Sequence, residues 1–138
     1  MLNSFNNLTS QSNTPKSAEE LHQELKTEEQ TTPTKYLAIE NPTMKHNMVR
    51  EAGLFRDAKY DGWLAQGQIK NTATIAKYKD VIVTIELYSQ TKTLIETKDY
   101  VVYEYYEPYS RKDFTIKINT PGATYKFHMT IQDATPVY

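Results

Sequence analysis

Between Asp80 and Ser89 the chain alternates without a break. Val81, Val83, Ile85 and Leu87 fall on one side, and Ile82, Thr84, Glu86 and Tyr88 on the other. A repeat of two residues belongs to an extended strand, and four aliphatic side chains on one face require a core to cover them. The same repeat recurs on either side of this strand. Tyr36-Leu37-Ala38-Ile39-Glu40 reads as a first strand, ended by Asn41-Pro42. Residues 43–60, with Met48, Val49, Leu54 and Phe55 as apolar points, read as short strand pieces around a bend, and Asp61-Gly62 as a turn. Trp63, Ala65, Gly67 and Ile69 then share one face, with Trp63 expected in the core and Gly67 marking a bulge or a close neighbour.

The later strands follow the same rule. Thr93 to Tyr106 is long, rich in aromatic and β-branched residues, and expected to be kinked or bulged before Pro108. Phe114, Ile116 and Ile118 alternate with Thr115 and Lys117; after a Pro121-Gly122 turn, Tyr125, Phe127, Met129 and Ile131 alternate with Lys126, His128 and Thr130. Turn signals at this spacing, with no helix between strands, predict an all-β antiparallel sandwich of about seven strands and argue against a parallel sheet.

One helix precedes the sandwich. Ser17 followed by Glu20 is a capping box, and Glu19 and Glu20 sit where the helix dipole favours negative charge. Leu21 and Leu25 form a thin apolar stripe, so the helix is expected to pack loosely on the body or merely to space it. The predicted organisation is a disordered polar leader at 1–16, a helix at 17–30, a linker at 31–35 and the sandwich at 36–138.

Several functions are disfavoured by composition. The chain of 138 residues has no cysteine, which removes disulfides, thiolate metal sites and cysteine nucleophiles. A net charge of −1 lacks the basic excess of a nucleic-acid binder, and four glycines leave no glycine-rich phosphate loop. No run of apolar residues is long enough for a transmembrane segment, and the start does not read as a signal peptide. His22, His46 and His128 have no metal-ligand spacing, and Glu104 and Glu107 read as solvent-facing strand charges. No catalytic residue, metal or cofactor is assigned. Lys77 with Lys79, and Arg111 with Lys112, read as loop charges that confer solubility.

The compositional oddity is eleven tyrosines. Tyr88, Tyr100, Tyr103, Tyr105, Tyr106 and Tyr109 cluster, and together they are the candidate ligand or partner face. Alternation splits them: Tyr103 and Tyr105 go with Val101, while Tyr100 and Tyr106 go with Val102. An aromatic platform and cross-strand packing on a half-buried sheet are the two uses such a cluster serves.

Gly67-x-Ile69-x-Asn71, Val81-x-Val83-x-Ile85-Glu86-Leu87-Tyr88-Ser89 and Phe114-Thr115-Ile116-Lys117-Ile118 together resemble the FxLYD-type β-sandwich domains of bacteria. The whole from Ser17 onward is similar to a set of uncharacterised Bacteroidetes envelope-associated proteins. The chain departs from that pattern at Ser89, where aspartate is usual, and at Glu107-Pro108-Tyr109-Ser110, where Pro-Gly is usual. The resemblance implies an immunoglobulin-like sandwich without a catalytic role. The expected function is a non-catalytic interaction or structural module with a protein partner, tethered at a cell envelope if a signal or lipid anchor lies upstream, and otherwise cytoplasmic. The alternative is a carbohydrate- or small-ligand-binding domain using the tyrosine-rich sheet face.

Overall fold

A computed structural model describes residues 17–57, 59–119 and 126–138. The expected leader, the Pro121-Gly122 turn and Tyr125 lie outside the described residues. Helix α1 covers Ala18–Thr31 and a short helix α2 covers Pro33–Tyr36. Six strands follow: β1 Leu37–Arg50, β2 Lys59–Asn71, β3 Lys77–Tyr88, β4 Leu94–Tyr106, β5 Arg111–Ile118 and β6 Lys126–Val137. They form two antiparallel three-stranded sheets, ordered β1-β2-β5 and β4-β3-β6. The all-β antiparallel expectation holds; the strand count among the described residues is six, where about seven were expected.

One core joins both sheets. Val81, Val83, Ile85 and Leu87 of β3 are fully buried, as the alternation required, and face Ala65 and Ile69 of β2 and Phe114, Ile116 and Ile118 of β5. Burying each such aliphatic side chain is worth about 1.5–3 kcal/mol. Gly67 has the predicted close neighbour. It pairs across strands with Phe114, and a Cβ there would stand 3.1 Å from the Phe114 ring and 3.2 Å from the Glu40 carbonyl oxygen. Trp63 packs partly buried against the core and stacks on His46 at 3.9 Å, so it caps one end of the sandwich and does not fill the centre.

Several local expectations are corrected. Asn41-Pro42 does not end β1. Asn41 takes φ 52° in a bulge, and the strand continues to Arg50. Proline is tolerated there because β1 is an edge strand, whose outward side needs no N–H donor. Asp61-Gly62 is likewise no turn: β2 runs through it as a bulge between the Met48–Tyr60 and His46–Trp63 pairs. The reversal lies at 51–57, bridged by Gly53 and Arg56, with Leu54 and Phe55 exposed at its tip. Lys77 and Lys79 belong to β3, and Arg111 and Lys112 to β5, so neither pair is a loop charge. The expected bulges in β4 are present near both ends of its pairing with β3.

The predicted capping bond forms, with the Glu20 N–H donating to Ser17 Oγ at 3.1 Å. The expectation of loose packing fails at the other end of α1. Leu21 and Leu25 remain exposed, while Glu29 is buried. Its carboxylate accepts the N–H groups of Thr74, Ile75 and Ala76 at 2.8–3.1 Å and the Thr74 hydroxyl at 2.9 Å. The Tyr78 hydroxyl donates to the Glu29 carbonyl. The expected linker is mostly α2, whose last carbonyl, on Tyr36, accepts both the Thr72 N–H and the Thr72 hydroxyl. Helix and sandwich are therefore joined by directed polar bonds to the connection between β2 and β3.

Asn71 organises the inner side of that connection. Its side-chain amide donates to the carbonyls of Ala76, Tyr106 and Glu107 at 3.0–3.1 Å, and its Oδ1 accepts the Ala73 N–H at 2.9 Å. Its backbone N–H bonds Ser110. A segment that reads as a polar connection is in fact a buried hub, because its backbone groups leave water and must find partners.

Two predictions follow from these contacts. Burial alone raises the Glu29 pKa, but the N–H donors of Ala76, Ile75 and Thr74 outweigh it and hold the carboxyl below its ordinary 4.5. A depressed folded-state pKa contributes stability that is present above the unfolded value and lost as pH falls through the folded one. Glu29→Gln should cost about 2–4 kcal/mol in urea unfolding at pH 7, and the difference from wild type should shrink below pH 4.5. Gly62 has φ +69°, and a Cβ there would meet the Ile118 carbonyl oxygen at 2.1 Å. Gly62→Ala should cost about 2 kcal/mol or more, whereas Gly53→Ala, which meets only the flexible Arg56 side chain, should stay within about 0.5 kcal/mol.

Candidate functional site

The six clustered tyrosines do not form one surface. Tyr106 is fully buried in the core, so it leaves the candidate face. Its hydroxyl has no hydrogen-bond partner, and burial pushes its pKa up to about 12. Tyr100 is half-buried against the core, with Lys98 Nζ 5.6 Å from its ring centre. Burial, then Glu96, raises its pKa. The cause is register: Val83 pairs with Tyr100 and Val81 with Val102, so these β4 residues inherit the core side of β3.

Three of the others remain outside. Tyr103 is 78% exposed and Tyr105 51%, beside Val101 on the outer face of β4. The division read from alternation is thus the division observed. The Tyr105 ring is nevertheless engaged: Lys77 Nζ lies 4.6 Å from its centre while pairing with Glu107 at 2.8 Å. Tyr109 is 73% exposed in the turn between β4 and β5. There the Ser110 N–H donates to the Glu107 carbonyl, Pro108 fills the second position, and Tyr109 takes φ 59° at the third. Tyrosine thus occupies a left-handed position that glycine usually fills.

Tyr88 sits apart, at the end of β3 on the outer face of its sheet. Its hydroxyl donates to the Glu86 carboxylate at 2.9 Å, and that bond raises its pKa. The Ser89 that follows fulfils a turn role, because its hydroxyl accepts the Thr93 N–H at 3.1 Å.

Glu104 of β4 and Glu107, one residue past its end, both read as strand charges, each face a lysine: Lys112 at 3.4 Å and Lys77 at 2.8 Å. Arg111 reaches Glu40 at 2.8 Å. Among the described residues no group of three or more His, Asp or Glu side chains could hold a metal ion, and no helix is long and apolar enough to cross a membrane. An open cleft of about 290 Å³ beside the exposed tyrosines is lined by Lys79, Asp80, Tyr103, Glu104 and Tyr105. Asp80, at φ 51°, forms the bulge in β3 that shapes one wall.

Sequence reasoning kept Tyr106 in the candidate face, read Lys77 as a loop charge, named Asn71 only within the resemblance and gave Glu29 no role. Only an unusual position could have signalled the roles of Asn71 and Glu29: an asparagine at the end of a buried-face strand and a glutamate in the last turn of a helix. Compared with protein-family models, curated proteins and solved structures, the chain matches none.

The two buried phenols differ in a testable way. Tyr78 donates a hydrogen bond to Glu29 and Tyr106 donates none. Tyr78→Phe should lose about 1–2 kcal/mol, Tyr106→Phe should be neutral or slightly stabilising, and Tyr103→Ser should shift stability by less than about 0.5 kcal/mol. Urea unfolding of the three variants measures this.

Proposed function

We infer that the chain is a non-catalytic interaction module, an immunoglobulin-like sandwich of the FxLYD type, which receives an extended segment of a protein partner along β4. The observation that carries this reading is the exposure of Val101, Tyr103 and Tyr105 in a row on an edge strand. β4 pairs with β3 alone among the described strands, so its other side offers backbone groups for strand addition. Tyrosines at such a rim supply large contact area at small entropic cost. The strand orders β1-β2-β5 and β4-β3-β6 favour a Greek-key sandwich over a simple meander. Gly67, Asn71, Leu87 and Phe114, which carry the FxLYD resemblance, all have definite packing or hydrogen-bonding duties. Placement at a cell envelope rests on that resemblance.

A second reading, a neutral glycan on the outer face, is favoured by the cleft in which Tyr103 stands beside Asp80 and Glu104. Carboxylates next to an exposed aromatic ring suit sugar hydroxyls.

A photocrosslinker at position 103, compared with one at Lys45 on the other sheet, tests the partner reading in native host cells. Its fractions also report the compartment. The expected result is one protein crosslinked from position 103 in the envelope fraction, whose purified binding weakens at least about ten-fold with Tyr103→Ser. Equal crosslinking from both positions overturns the partner face. Stabilisation by a neutral glycan that Tyr103→Ser abolishes selects the second reading.

A further inference from the structure

The outer face of the β4-β3-β6 sheet has a second cleft, at the opposite end of β3 from Tyr105. It measures about 320 Å³ and is lined by Tyr88, Lys92, Lys126 and His128. Three elements converge on it. Lys126 lies directly across from Tyr88, and His128 lies two residues along β6, across from Glu86. Lys92 projects from the β3–β4 turn, which is closed by Lys92 N–H to the Ser89 carbonyl and Ser89 N–H to the Thr93 carbonyl, both at 2.9 Å. That turn places Lys92 at φ 66°, a conformation that glycine or asparagine adopts more readily.

Four cations elsewhere on the surface are already neutralised. Lys35, Lys77, Arg111 and Lys112 each pair with a glutamate. Lys92, Lys126 and His128 have no such partner among the described residues. The nearby carboxylate, Glu86, already accepts the Tyr88 hydroxyl. Two lysines therefore share one open cleft with a neighbouring histidine and a single carboxylate, Glu86, at its edge, and an oxyanion would relieve the repulsion between the lysines.

We propose that this cleft binds a small ligand bearing a carboxylate, phosphate or sulfate group. Lys92 and Lys126 contact the anion, His128 adds a hydrogen bond, and the Tyr88 ring supports the body of the ligand. The volume lies at the lower end of ligand pockets, which suits a molecule the size of one sugar ring or a dipeptide. This site goes beyond the partner-face reading and does not rest on it, because no residue is shared with the Tyr103 surface.

Backbone NMR titration of the full chain tests the assignment at constant ionic strength. The probes are inorganic phosphate, glucose 6-phosphate and galacturonate, with galactose as the neutral control. Saturable shifts at Tyr88, Lys92, Lys126 and His128 with at least one anion, and none with galactose, are expected. A response to phosphate or glucose 6-phosphate alone assigns phosphoryl chemistry; a response to galacturonate assigns a carboxylate. Lys92→Ala and Lys126→Ala should each weaken binding at least about ten-fold while moving Tm by no more than about 2 °C. Lys92→Ala changes only an exposed turn side chain, so it remains informative if Lys126→Ala folds poorly. Shifts that fail to saturate, spread equally to Lys35 and Lys117, survive both substitutions, or appear equally with galactose overturn the proposal. Tyr103→Ser should leave this titration unchanged.

Discussion

Two buried polar side chains hold the connection between β2 and β3, and much of the fold depends on them. Asn71 draws the carbonyls of Ala76, Tyr106 and Glu107 toward one amide, so three chain segments meet at one end of the sandwich. Glu29 binds the outer side of the same connection and fixes the helix to it. A charged carboxylate is tolerated there because successive backbone N–H groups replace its water. Directed bonds of this kind set position and angle, which a thin apolar stripe on α1 cannot do.

That anchoring explains the distribution of exposed apolar surface. Because the carboxylate docks the helix, Leu21 and Leu25 stay in solvent. Because β3 takes the centre of its sheet, β4 becomes an edge whose outer row remains uncovered. Lysines then shield several rings: Lys77 lies over Tyr105, Lys98 over Tyr100 and Lys35 over Tyr36. Tyr103 is left as the most exposed ring of the candidate cluster on β4, which concentrates the partner reading on one residue and its neighbours.

Positive backbone φ marks the places where local sequence and global register disagree. Asn41 and Asp80 sit in strand bulges, and Lys92 and Tyr109 in turns. Asn41-Pro42 and Asp61-Gly62 both look like chain reversals locally, yet β1 and β2 run through them. Pairing along the neighbouring strands, together with the core row from Trp63 to Ile69, outweighs the local turn preference. The separation of Tyr103 and Tyr105 from Tyr100 was legible, because a strand assigns alternate side chains to opposite faces. The depth of Tyr106 was not, because burial depends on which other strands cross above it.

Local sequence by itself determined the antiparallel all-β class and the core faces of β3 and β5 through alternation, and the capped start of α1 through Ser17. Those properties rest on neighbours within a few residues, where side-chain period and capping chemistry act directly. Tertiary structure alone decided that Glu29 anchors the helix, that Asn71 gathers three segments, and that Tyr106 is core while Tyr103 is surface. Each of these depends on groups about 30–50 residues apart meeting where water is excluded, and no local repeat encodes that encounter.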